Sequence, residues 1–135
     1  MGAWGALAFD NDAANDWAYD LEELDDLSLV TSALAEVEEV GEEYLDSDVA
    51  CNALAACEVL ARLQGNAGYK NAYTEKVDLW VAANPLAATP ELLKRAEAVI
   101  DRILGEQSEL RDLWDEVNDG TWREAVEDLR RRMRK

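Results

Sequence analysis

The sequence predicts an all-α, single-domain, orthogonal bundle of about seven helices, opened by a Gly/Trp-rich N-terminal segment. Three observations predict it. Apolar residues recur near a period of 3.6 through most of the 135 residues, and little of the chain alternates as a strand does. Cap and turn residues divide that pattern into seven segments. Hydrophobic residues make up 49% of the chain, enough for a core at this length despite a formal charge of −17. No Pro/Ser-rich linker interrupts it, and no fixed-period repeat links the segments.

The opening Met1-Gly2-Ala3-Trp4-Gly5 sets two glycines around a tryptophan, a tight path that would insert Trp4 into a core. Asp10-Asn11-Asp12 supplies N-cap oxygens for a first helix. Ala14, Trp17, Ala18 and Leu21 form its buried stripe, with Asp16, Asp20 and Glu23 off it. A second helix follows Ser28 and turns Val30, Leu34, Val37 and Tyr44 inward, with Gly41 weakening its last turn. Asp46-Ser47 caps a third helix that ends at Gly65. From Val49 to Leu63 only Asn52, Glu58 and Arg62 are polar, and a helix apolar almost all round belongs in the middle of a bundle. Glu58 and Arg62 stand four apart with the acid first, which favours an intrahelical ion pair. Burial would demand that pairing.

Gly65 to Tyr73 reads as a loop. A fourth helix runs from about Thr74 to Asn84 and stops before Pro85. Thr89-Pro90 opens a fifth, to Leu104, with Leu92, Ala96, Val99, Ile100 and Ile103 as its stripe. Ser108 caps a sixth carrying Leu110, Leu113, Trp114 and Val117, ended by Asn118-Asp119-Gly120. Thr121 to Glu124 is a capping box for a seventh, with Trp122, Val126, Leu129 and Met133 inside. The five bases between Arg130 and Lys135 suit the C-terminal end of a helix dipole or the acidic first half.

Charge and composition narrow the function. Residues 1–61 hold 16 acids and no base, whereas residues 62–135 hold 14 acids and all 13 bases. Such a chain repels phosphates, so neither nucleic acid nor an anionic membrane is the expected partner. The absence of histidine excludes a histidine general base, a Ser-His-Asp triad and every histidine metal site within the chain. Cys51 and Cys57 are six apart on one helix and point about 120° apart, so they cannot bridge. They read as small buried hydrophobes of a reduced, cytoplasmic protein. No targeting signal is present, and no apolar stretch reaches the ~20 residues of a membrane span. Taking Asp10 and Asp12 as calcium-loop positions one and three puts Asn15 and Leu21 where glycine and glutamate are needed. No catalytic residue, metal or cofactor is expected.

Three functional classes remain. The first is an interaction protein whose acidic half docks a basic partner. Asp16, Asp20, Glu23, Glu39 and Glu43 are its candidate contacts, because each lies off its helix's apolar stripe. A toxin-neutralising immunity protein is one instance, since an acidic face can steer and hold a basic toxin. The second is a small-molecule pocket near Trp4 and Trp17, floored with Phe9 and rimmed by Asn11, Asp12 and Asp16. The third is a metal-dependent nucleotide hydrolase. Glu38-Glu39-x-x-Glu42-Glu43 with Glu75-x-x-Asp78 is similar to the acidic motifs of all-α nucleotide pyrophosphohydrolases, which hold magnesium against a triphosphate. That resemblance implies Glu39, Glu42, Glu75 and Asp78 as ligands. Here an entire apolar helix separates the two motifs, and no basic or Gly-rich phosphate cradle lies nearby. An acidic surface can also be salt adaptation with no partner, and only 4 of the 13 bases are lysine.

A second resemblance covers nearly the whole chain. Met1-Gly2-Ala3-Trp4-Gly5, then Phe9-Asp10-Asn11-Asp12-Ala13-Ala14 and Asp16-Trp17, resembles the opening signature of the bacterial domain-of-unknown-function family 4259. Tyr44-Leu45-Asp46, the Ala-rich run from Ala55 to Ala61 and Ser108-Glu109-Leu110-Arg111-Asp112-Leu113-Trp114 are similar to its later pattern. The resemblance implies a small bacterial cytoplasmic protein. It brings no activity, substrate or catalytic residue to any position.

Overall fold

The computed structural model describes residues 5–117 and 120–134. Within them the chain forms seven α-helices: α1 (Asp12–Leu21), α2 (Ser28–Val40), α3 (Ser47–Leu63), α4 (Glu75–Ala83), α5 (Pro90–Leu104), α6 (Glu109–Val117) and α7 (Thr121–Arg134). Among the described residues there is no strand, only an isolated parallel bridge between Leu45 and Ser108. The expected insertion of Trp4 into a core, and the Asn118-Asp119 part of the sixth helix's end, lie outside the described residues.

Local chemistry starts several helices where the sequence places them. Asn11 caps α1, its side-chain oxygen accepting from the Ala14 N–H at 2.8 Å. Asp46 caps α3 by accepting from the N–H groups of Asp48 and Val49. Thr89 caps α5, with Pro90 at the first helical position. Each satisfies backbone donors that no helical carbonyl can reach.

The apolar α3 is the axis of the fold and packs against all six other helices. Its small residues Ala50, Ala53, Ala55, Ala56, Cys57 and Ala61 are fully buried, which lets neighbouring backbones come close. The buried side chains of all seven helices join one hydrophobic cluster with it. Burial drives this assembly at roughly 25 cal/mol per Å² of apolar surface.

Three expectations fail locally. Helix α2 stops at Val40, because Gly41 turns the chain at φ 61°. Tyr44 therefore lies beyond the helix and is 53% exposed, its hydroxyl donating to Asp112 Oδ2 at 2.8 Å. Val117 is 51% exposed rather than inward, and Leu110 is the one buried residue of α6. The capping-box reading places Thr121 before α7, whereas Thr121 is its first residue.

The α2–α3 and α5–α6 connections are fastened together. The Leu45 N–H donates to the Gln107 carbonyl at 2.8 Å and the Glu109 N–H to the Leu45 carbonyl at 2.9 Å. Arg102 donates to the carbonyls of Gly41, Glu43, Glu106 and Gln107 at 2.5–3.1 Å. Gln107 stays in the left-handed region, at φ 59°, within this clamp.

Candidate functional site

The acidic first half stays in water. Fourteen of its sixteen carboxylates are exposed, the exceptions being half-buried Asp10 and buried Glu58. Asp12, Asp16 and Asp20 follow one another at four-residue steps along the outside of α1. Asp20, Glu22, Glu23, Asp25 and Asp26 then crowd the α1–α2 corner. Glu39 is exposed on α2, and Glu42 and Glu43 are exposed just beyond it. Among the described residues, Glu38 is the only exposed one of these acids that meets a cation, Arg95 at 2.7 Å. That hydrogen bond holds the Glu38 carboxyl below its ordinary pKa.

The cations are used elsewhere. Arg111, Arg130, Arg131 and Arg134 pair with Asp115, Asp101, Asp128 and Glu97, all in the second half. Arg102 is spent on backbone carbonyls. Lys76 sits over the Tyr19 ring, 3.6 Å from its centre.

The interior handles charge differently. Glu58, 1% exposed at the middle of α3, receives both Arg132 terminal nitrogens, at 2.5 and 2.9 Å. Arg132 also donates to Asp128 at 2.9 Å and to the Asn66 carbonyl at 3.2 Å. Burial pulls the Arg132 guanidinium down, but the Glu58 and Asp128 bonds and charges outweigh it and raise its pKa overall. Arg62 lies 3.6 Å from Glu58, too far to hydrogen-bond, and donates instead to Asp78 and the Tyr69 carbonyl at 2.6 Å each. The expected pair is thus buried and adjacent, but each member has a better partner on another element. The closeness of this packing shows at Gly68, where a methyl group would sit 2.5 Å from Arg132 Nε.

Beside this network lies a cavity of about 30 Å³, bounded by the Gly5–Ala8 strap, Asn11, Glu58, Tyr69, Trp114, Trp122 and Arg132. It has room for about two waters, far below the ~300 Å³ of a small-molecule pocket. Burial, reinforced by the nearby Glu58, raises the Tyr69 phenol well above its usual pKa. Of the expected pocket residues, Asn11 reaches this cavity, while Trp17 packs in the core away from it and Asp12 and Asp16 face solvent. Trp4 lies outside the described residues.

The four carboxylates of the hydrolase reading are placed on separate elements. Glu39 is on α2, Glu42 beyond its end and Glu75 at the start of α4. Asp78 is already engaged by Arg62. Among the described residues no group of three or more His, Cys, Asp or Glu side chains could hold a metal ion. Both cysteines are free and buried, and burial, with Asp48 and Asp46 adding to it, pushes the Cys51 thiol up to about 12. Burial raises the Cys57 thiol as well, which disfavours the thiolate at both positions.

Two features escape a reading by periodicity. Arg132 falls three residues after Leu129 and one before Met133, on the edge of the α7 inner stripe, so its inward position was readable though its partner was not. Leu79 is 66% exposed although α4 is short and largely apolar. The signal was there: Val77, Leu79, Trp80 and Val81 cannot all face one core.

Among the described residues no helix is long and apolar enough to cross a membrane. The family model described as a domain of unknown function, DUF4259, matches residues 2–125 of the chain. No curated protein and no solved structure matches it.

Proposed function

The chain belongs to the DUF4259 family, and on that premise we propose that it is a non-catalytic cytoplasmic interaction protein whose acidic first half docks a basic protein. One observation carries this reading: among the described residues the exposed acids of α1, α2 and the connection between them, Glu38 apart, have no ion-pair partner, while Arg111, Arg130, Arg131 and Arg134 of the second half pair with its own acids. A field of one sign raises the encounter rate with a partner of the other sign. Toxin neutralisation by an immunity protein is one role that such a face would serve. Two buried free cysteines fit a reducing compartment.

The test reverses Asp16, Asp20 and Glu23 to lysine together. Basic proteins captured by the wild-type chain at low salt are purified, and their association rates are measured with both forms. The on-rate should fall at least tenfold on reversal and lose most of its salt dependence. An unchanged on-rate for every captured protein overturns the reading.

A further inference from the structure

The α1–α2 corner is not purely acidic, because α4 is pinned against it. The Trp80 indole N–H donates to the Leu24 carbonyl at 2.7 Å, inside the run of acids. One turn earlier, Lys76 covers the Tyr19 ring at 3.6 Å. With Trp80 and Val77 turned inward, α4 presents Leu79 and Ala83 outward, on the same side as Lys76. Leu79 is 66% exposed and Tyr19 is 59% exposed. Leu79 also walls a shallow groove of about 410 Å³ with Lys70, Asn71, Ala72, Glu75 and Asp78. A leucine on an open helix face gains nothing from water, and here its helix is joined to the acid-rich α1–α2 corner through Trp80 and Lys76.

We infer that the outer face of α4, with Tyr19 of α1, is the apolar anchor of a docking surface for a cationic polypeptide segment that carries an aliphatic or aromatic side chain. The inference rests on the acidic-docking reading and specifies its partner. Charge chooses the occupant. Lys70 and Lys76 are the cations of this region, against Asp16, Asp20, Glu22, Glu23, Asp25 and Glu75, which are all exposed. A second copy of the chain brings the same −17 and is repelled. A basic segment is attracted by the corner, and its apolar side chain is buried against Leu79 and the groove. The acids set the approach and Leu79 sets the residence time.

Two synthetic peptides with the same number of lysines, and so equal charge, test this, an oligolysine and a longer amphipathic lysine–leucine helix. Each is titrated at low salt into the wild-type chain, Leu79→Ser, Val117→Ser and the Asp16/Asp20/Glu23 lysine reversal. Val117 is an exposed apolar residue on α6 and serves as control. The lysine–leucine helix should bind wild type about tenfold tighter than oligolysine, an advantage of one anchoring side chain. Leu79→Ser should erase that advantage and Val117→Ser should keep it. Amide shift mapping of the wild-type complex should centre on residues 16–25 and 73–83, a readout that needs no variant to fold. Equal affinities for the two peptides, or an advantage that survives Leu79→Ser, overturn the anchor while leaving acidic docking intact. Oligolysine binding that ignores the lysine reversal overturns both.

Discussion

Carboxylates at the centre of α3 and at the α1–α2 corner meet opposite fates. Glu58 is sealed among hydrophobic neighbours and holds a two-pronged grip from Arg132, with Arg62 close by. Asp16, Asp20 and Glu23 stand in water, and among the described residues no cation forms an ion pair with them. Inside, a charge is tolerated only with a partner, because desolvation costs more than the fold can otherwise offset. Outside, water and salt screen each acid and the fold is nearly indifferent to any one of them. The difference separates two jobs. Interior charge fixes how α3, α4, α7 and the 66–69 loop meet, while surface charge is free to act on other molecules.

Removing one interior partner breaks the comparison most severely. Arg132→Ala should destabilise the chain by roughly 3–5 kcal/mol, since it strands a buried carboxylate. Replacing both partners, Glu58→Leu with Arg132→Met, should recover most of that loss, because a matched apolar pair needs no desolvation. Urea unfolding of the single and double variants measures this. A double variant as unstable as the single one would mean that packing, not charge, is what Arg132 supplies.

A smaller effect is expected where the backbone leans on the same pair. Gly68→Ala should cost about 1–3 kcal/mol. The added methyl meets Arg132 Nε at 2.5 Å and Cδ at 2.8 Å, and the Glu58 bonds keep that side chain from stepping aside. Calorimetry would show it as a lowered Tm. An unchanged Tm would show that the loop is free to move away.

The surface gives the smallest response. Uncompensated acids repel, so Tm should rise by a few degrees as sodium chloride goes from ~0.01 to ~0.1 M and the Debye length falls from ~30 to ~10 Å. The Asp16/Asp20/Glu23 lysine reversal should flatten that rise. A wild-type profile that is flat or falling would show that these acids are too far apart to strain the fold.

Much of this architecture was legible in the sequence, but unevenly. Asn11, Asp46 and Thr89 are readable because a cap acts on backbone three residues away. The middle position of α3 follows from its nearly unbroken apolar surface. Tyr44 misleads because Gly41 stops the helix just before it, and periodicity carries no information past such a turn. The spacing of Glu58 and Arg62 predicts an intrahelical ion pair, and the two do lie 3.6 Å apart in the interior. Their main partners, Arg132 and Asp78, arrive from other helices, and spacing along one helix is blind to the register between helices. The acids themselves are all visible in the sequence, but which of them lack an ion pair emerges only from the arginines' acceptors, such as Glu38 for Arg95 and Asp101 for Arg130.

The Glu58–Arg132 grip also has a history in time. The two residues are 74 positions apart. At a synthesis rate of ~5–20 residues per second, Glu58 leaves the ribosome about 4–15 s before its partner does. Over that interval α1, α2 and α3 have their sequence-local neighbours and can collapse, but the carboxylate at the middle of α3 has no arginine from α7 to meet. Until then its nearest cation is Arg62, one turn further along the same helix. The two-pronged grip on Glu58 can therefore close only after α7 has been made, later than the contacts among α1, α2 and α3.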